Sequence, residues 1–176
     1  MVILLALGGY FYFSTRPELP PKPEPQLFAW LVEPEELRHI EMRLSREDKS
    51  QAFIKITKED KFPWYFDDPQ RTRVSEERWG GGVPLLLSGP GVQRVIKENA
   101  TEEQLTEFGL TQPRMEITLT LEDGDILNIN VGDSTPDGNN FYIQAPGTND
   151  VATVDFTWYE VLERLVKEPP YVPATE

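Results

Sequence analysis

The stretch that decides the fold is Leu105 to Gln144, LTEFGLTQPRMEITLTLEDGDILNINVGDSTPDGNNFYIQ, which reads as a short helix, a β-hairpin and a third strand. Thr101 and Gln104 form a capping box just before it: the hydroxyl takes an orphan helix N–H and the Gln side chain reaches back. Gly109 closes the helix in the left-handed conformation, with Leu110 placed to fold back on it, so the helix is about two turns long. Ile117, Leu119 and Leu121 then alternate with Thr118 and Thr120, and Leu127, Ile129 and Val131 with Asn128 and Asn130, the period of half-buried strands.

Parity selects the turn between these strands. A two-residue Asp123-Gly124 turn would pair Leu119 with Asn128 and throw the two apolar rows onto opposite faces. A three-residue loop, Glu122-Asp123-Gly124, puts Gly at the left-handed bulge position and pairs Leu119 with Leu127 and Ile117 with Ile129. Both rows then share one face, and this is the register expected.

Downstream, Pro146-Gly147 marks a turn and Val151 to Val154 a strand. The last helix is signalled by a capping box of Thr157 with Glu160 and a hydrophobic staple of Phe156 with Val161. Val161, Leu162, Leu165 and Val166 form its apolar stripe, expected to lie on the sheet, and Pro169-Pro170 stops it. Upstream, Ile40, Met42 and Leu44 alternate with Glu41 and Arg43. After the polar SREDKSQ turn, Ile54 and Ile56 alternate with Lys55 and Thr57, giving a second hairpin, with a third strand near Trp64 to Phe66. The parallel between the two hairpins suggests two related three-stranded modules rather than one continuous sheet. Between them, Ser75 to Arg78 is helix-capable, Val83 to Leu87 is a short helix with Pro84 in its first turn, and Val92 to Lys97 is a strand.

The order Leu105-x-x-Phe108-Gly109-Leu110-x-x-Pro113, the Asp123-Gly124 hairpin, Val131-Gly132-Asp133, Phe141-Tyr142-Ile143 and the closing Val151 strand and helix resembles a bacterial family catalogued only as a domain of unknown function. The resemblance spans 105–168, and Trp64-Tyr65-Phe66 with Pro69 matches the family's Trp-containing strand more loosely. It implies an N-terminal membrane anchor, a short stalk and an α+β domain of repeated β-rich modules; related domains occur beside accessory proteins of the gliding-motility type of ABC transporter. The anchor here is shorter than the family's, and GGGVPLLLSGPG (80–91) replaces a longer helix. The family has no established catalytic residues to carry over, and what it implies is an anchored interaction domain.

The chain opens on MVILLALGGYFYF, apolar for 13 residues. As a helix that is about 20 Å, short of the roughly 20 residues that a span needs. Three placements fit it: a span whose upstream part precedes this sequence, a helix sheltered in a larger membrane assembly, or a helix packed in the soluble core. The cluster Tyr10, Phe11, Tyr12 and Phe13 just before Arg16 suits a membrane interface, so residues 2–13 are expected to enter the bilayer. Pro17 to Gln26, PELPPKPEPQ, excludes helix and favours extended polyproline II, a semi-rigid stalk or a loop lying on the domain.

Among 176 residues there is no Cys, which removes disulfides and thiolate chemistry, and the net charge is −13. Residues 101–176 hold 15 acids against 3 bases. Such a half repels phosphate backbones, so no nucleic-acid partner is expected; it is a solvated face or a docking surface for a basic partner. His39 is the only His and reads as a surface or half-buried strand residue. The Gly-rich stretches 80–82 and 88–91 lack the P-loop Lys and the Rossmann spacing and read as turns. Asp133, Thr135, Asp137 and Gly138 fall where a calcium loop has ligands 1, 3 and 5 and its Gly, but position 12 is Gln144 and the flanks are strands. That loop is read as one whose Asp and Asn side chains satisfy turn amides, and the paired acids Asp67-Asp68 and Asp123/Asp125 likewise sit in turns. No catalytic residue, metal site or cofactor is expected.

The expected architecture is α+β: a membrane anchor helix (1–16), a Pro-rich stalk (17–26), a first β-rich module (27–100), a second with the terminal helix packed on its sheet (101–168), and an extended tail (169–176). The expected role is a non-enzymatic, single-span accessory subunit of a membrane complex, of transport, respiratory or photosynthetic type, with its domain on the extracytoplasmic side and the other subunits as partners. The alternative is a free-standing anchored domain that binds or senses a ligand, with the 133–140 loop at its mouth. Tyr10, Phe11, Tyr12, Phe13, Trp30 and Trp79 are the candidate partner contacts, beside the apolar run Leu85 to Leu87; core burial is the competing fate of Trp30 and Trp79.

Overall fold

Backbone pairing carries the alternation of the sequence into a single sheet. In the computed structural model, which describes residues 27–56, 62–79 and 82–172, the strands are β1 (Leu37–Leu44), β2 (Lys49–Lys55), β3 (Trp64–Phe66), β4 (Arg94–Lys97), β5 (Met115–Leu121), β6 (Ile126–Ser134), β7 (Asn140–Gln144) and β8 (Val151–Asp155). The helices are α1 (Glu76–Trp79), α2 (Val83–Ser88), α3 (Glu102–Glu107) and α4 (Phe156–Lys167), and a 3-10 turn, Pro34–Glu36, leads into β1. Among the described residues no helix is long and apolar enough to cross a membrane. The anchor and stalk expected over residues 1–26 lie outside the described residues.

The sheet is antiparallel, in the order β3-β2-β1-β5-β6-β7-β8-β4. The hairpin of β5 and β6 has the expected register, with Ile117 opposite Ile129 and Leu119 opposite Leu127, and Gly124 sits at φ 99° in its turn. The two hairpin groups do not form separate sheets: β1 and β5, the first strand of each, pair side by side, with Ile40 opposite Leu119 and Met42 opposite Ile117. The facing apolar rows leave no reason for a gap, because both point to the same side and extend one buried surface.

That side is the main core. Ile40, Met42, Phe53, Phe66, Ile117, Leu119, Ile129, Val131 and Ile143 are buried on it, beneath Trp158, Tyr159, Leu162, Leu165 and Val166 of α4. Each fully buried Leu, Ile or Phe contributes roughly 1.5–3 kcal/mol of transfer free energy. In β2 the expected parity is reversed: Phe53, opposite Ile40, is the core residue, whereas Ile54 lies opposite His39 and Ile56 is exposed. The reason is tertiary. Phe53 packs at 5.4 Å from Phe66 and 4.6 Å from Trp79, ring centre to ring centre, and a larger ring fills this end of the core.

The cap of α4 also differs from expectation. Asp155, not Thr157, is the N-cap, its carboxylate accepting the Thr157 N–H at 2.8 Å. The helix therefore begins two residues early. Phe156 stacks on Phe141 instead of stapling Val161, and Val161 is exposed, so the buried stripe runs through Trp158, Tyr159, Leu162, Leu165 and Val166.

A smaller cluster, Ala100, Leu105, Leu110 and Val151, lies on the opposite face of the sheet, because Val151 alternates with Ala152 of the main core. Here α3 is capped as the sequence predicts, Thr101 and Gln104 bonding reciprocally. It ends with Leu110 N–H on Leu105 O (2.8 Å) and Gly109 N–H on Thr106 O (3.0 Å), the pair of bonds that defines a Schellman close. The helix end meets β6 at a bulge, where Gly132 and Asp133 together oppose Tyr142. The bulge turns the Asp133 N–H away from the ladder and onto Phe108 O, at 2.9 Å. A Cβ on Gly132 would lie 2.2 Å from that same oxygen, and one on Gly109 would lie 2.5 Å from the Asp133 carboxylate.

Gly132→Ala should therefore lower the unfolding free energy by about 2–3 kcal/mol, since backbone must move. Gly138→Ala, also a turn glycine at φ 74° but with nothing within 4 Å of the new methyl, should cost only about 1 kcal/mol. Urea denaturation of the two variants beside the wild type measures both, and equal losses would show that the crossing is not tightly packed.

Candidate functional site

Two surface features stand out, and the six-residue helix α2 lies between them. Residues 27–32 run back along residues 88–92, with Val92 N–H on Leu27 O and Val32 N–H on Ser88 O, both 2.8 Å. A helix this short leaves its last carbonyls without intrahelical partners. Two indoles fill them: Trp30 Nε1–H donates to Leu87 O at 2.8 Å and Trp158 Nε1–H to Leu86 O at 3.0 Å. The two rings meet edge to face at 6.3 Å. Trp30 is thus a buried structural residue.

The same arrangement leaves apolar side chains outside. Leu31 is 70% exposed and Leu85 of α2 is 65% exposed; Leu27 and Phe28 are exposed as well. Gly89 lies under this group, where an added Cβ would be 3.0 Å from Leu31 Cδ1 and 3.4 Å from Phe28 Cδ1. Of the apolar run 85–87, Leu85 faces out and Leu87 is buried. This is the face at which the chain comes in from residues 1–26.

On the other side of α2 a groove of about 480 Å³ separates it from α4. Trp79, Val83, Leu86, Val161, Leu165 and Pro170 form its apolar wall. Arg78, Arg164 and Glu168 stand at its lip. Arg78 ties the chain after α4 to α1, donating to Pro169 O and Glu168 O at 2.8 Å each. Trp79 is fully buried beside Phe53 and Trp64, and its Nε1–H has no acceptor among the described residues, an unsatisfied donor that costs about 1–3 kcal/mol. Tyr10, Phe11, Tyr12 and Phe13 lie outside the described residues, so of the expected contacts only the two tryptophans are placed, both in the core.

Several titratable groups pair with one another. His39 is half-buried on β1, its Nε2 2.8 Å from Asp67 Oδ2, and Arg71 binds the other oxygen of the same carboxylate. Burial alone would raise the Asp67 pKa, but the bonds from His39 and Arg71 outweigh it and hold the group below the usual carboxylate range. Lys167 bridges Glu47 (2.7 Å) and Glu163 (3.0 Å), which together raise its pKa. Asp133 accepts from Arg46 Nη1 at 2.9 Å and Arg114 Nε at 3.1 Å, so here too the arginines overcome burial and depress the pKa.

Within the 133–144 segment, residues 135–139 form the turn between β6 and β7. Asp133 points to the two arginines, while Asp137 accepts the Asn139 N–H (3.2 Å) and Nδ2–H (3.0 Å). Asp123 accepts the Asp125 N–H at 3.0 Å. Asp137 and Asp123 thus satisfy turn donors as expected, whereas Asp133 and Asp67 are taken by side-chain cations instead. Among the described residues no three acids or histidines converge as a metal site would need.

A family model described as a domain of unknown function (DUF4340) matches residues 87–167, from the end of α2 through α4. No curated protein and no solved structure matches the chain.

Asp133 provides a pH test of the crossing between α3 and β6. Its folded pKa is depressed, so the folded state holds the proton less tightly than the unfolded state. Its contribution is complete above the ordinary value of 3.8 and is lost as pH falls through the lower folded value. Asp133→Asn should therefore destabilise at pH 7, and the difference from wild type should shrink as pH falls below 4. Urea midpoints across that range measure it; a difference independent of pH would place the effect elsewhere.

Proposed function

We propose that the chain is a non-enzymatic accessory subunit of a membrane protein complex, anchored through residues 2–13 and working by protein–protein contacts of its α+β domain on the extracytoplasmic side. The observation that supports this most is the exposed group Leu27, Phe28, Leu31 and Leu85. Leu31 and Phe28 meet over Gly89, and exposed apolar side chains that gather on one surface are unfavourable in water unless a partner covers them. Leu27 directly follows the proposed anchor and stalk, and in this reading that face is the one turned to the membrane and to the subunits that share it.

Charge supports the same orientation. The half holding 15 acids is repelled by anionic headgroups, whereas a protein neighbour with uncharged or basic residues is not. In this reading Leu31 and Leu85 carry the contact, Trp30 serves it from beneath by fixing residues 27–32 on α2, and Tyr10 to Phe13 anchor at the interface.

Mild-detergent extraction of the tagged protein from its native membrane, followed by native electrophoresis and mass spectrometry, tests the proposal. The wild type should migrate in a large complex of fixed stoichiometry. Leu31→Glu combined with Leu85→Glu, both at exposed positions, should keep its melting temperature within about 2 °C and leave that complex. Recovery of the wild type alone, as a small anchored species, would overturn the accessory role.

A further inference from the structure

We propose that the groove between α2 and α4 is a binding site for a free, single-chain amphiphilic carboxylate, a fatty acid of medium chain length. Its volume of about 480 Å³ falls within the range of small-molecule sites, roughly 300–1,000 Å³. Its wall is apolar, and Val161 is left exposed on a helix whose other large apolar side chains, Phe156 apart, are buried.

The charges at the lip select the head group. Residues 101–172 contain three cations, Arg114, Arg164 and Lys167. Arg114 is bound to Asp133, and Lys167 to Glu47 and Glu163. Arg164 alone of the three has no ion pair or side-chain hydrogen bond among the described residues, although it sits in the most acidic part of the chain and is one of the groove's lining residues. A planar guanidinium offers two parallel N–H donors, the match for a carboxylate. Arg78 adds a second positive charge with its donors turned to backbone, and Glu168 subtracts one, so the lip is net positive.

Chemistry excludes the simpler ligands. A small hydrated anion would gain Arg164 but leave the apolar wall uncovered, and a neutral alkane chain would cover the wall but take water from Arg164 without replacing it. A carboxylate with an alkyl tail meets both demands. The tail lies against Val83, Leu86 and Leu165 and the head reaches the guanidinium at the open lip.

The test uses the full chain in nanodiscs of a zwitterionic lipid, with quenching of tryptophan fluorescence by ω-bromodecanoate as the reading. Trp79 in the wall and Trp158 behind Leu86 are the reporters. Quenching should saturate, ω-bromodecanol should quench much less, and Arg164→Gln should raise the half-saturating concentration by about tenfold, the loss of the guanidinium's charge and paired donors, offset in part by the Gln amide. Val161→Glu, which places a negative charge at the mouth, should abolish saturation without lowering the melting temperature. Bilayer-partitioned quencher acts alike on every variant, so non-saturating quenching of equal size in wild type and Arg164→Gln would overturn the site. An unchanged half-saturation in Arg164→Gln, or equal binding of the alcohol, would overturn the carboxylate assignment.

Discussion

Two backbones meet with nothing between them where Phe108 O accepts the Asp133 N–H, and the second half of the fold depends on that contact. Gly109 and Gly132 are the residues that permit it, one by its left-handed turn and both by lacking a side chain at the crossing. Because the bulge in β6 frees one N–H for the helix end, α3 is held on the opposite face of the sheet from α4. The sheet is thereby covered on both sides at its β7 and β8 end. Leu105 and Leu110 then bury Val151, Phe108 packs on Tyr142, and Asp133 is fixed for Arg46 and Arg114. An interaction worth about 1 kcal/mol in isolation thus determines where several larger ones can form.

The parts of the fold legible in the sequence are those whose reasons are local. The hairpin of β5 and β6 was readable because alternation and turn parity independently demand the same register, and α3 because its cap and its close are both set by neighbours within a few residues. Phe53 was not, since Ile54 and Ile56 alternate as well as it does and only the aromatic cluster with Phe66 and Trp79 decides between the two faces. The Asp155 cap was masked by a Thr157–Glu160 pair that satisfies the same pattern two residues later. The joining of β1 to β5 and of β4 to β8 links residues far apart in the chain, for which no local signal exists.

The surface features were the least legible. Leu27 to Val32 is apolar throughout, and nothing in it distinguishes Trp30, which points inward to cap a helix, from Leu31, which points out. The groove is assembled from α1, α2, α4 and the chain after α4, so its lining residues are neighbours only in the folded state. A helix of six residues is too short to be stable alone. That α2 exists depends on indoles contributed from 57 and 72 residues away, and it brings the incoming chain and the terminal helix into one unit.

The seam at the centre of the sheet has a further meaning. Strands β1 and β5 each begin a meander that runs outward, to β2 and β3 on one side and to β6 and β7 on the other. They meet antiparallel, with Leu37 opposite Leu121 and Leu44 opposite Met115. A two-fold axis normal to a sheet imposes that relation on two copies of one strand, the isologous geometry of a symmetric dimer. The two meanders thus meet within one chain as the edge strands of two subunits meet in an isologous contact, and the link between them, through α1, α2, β4 and α3, lies outside that seam.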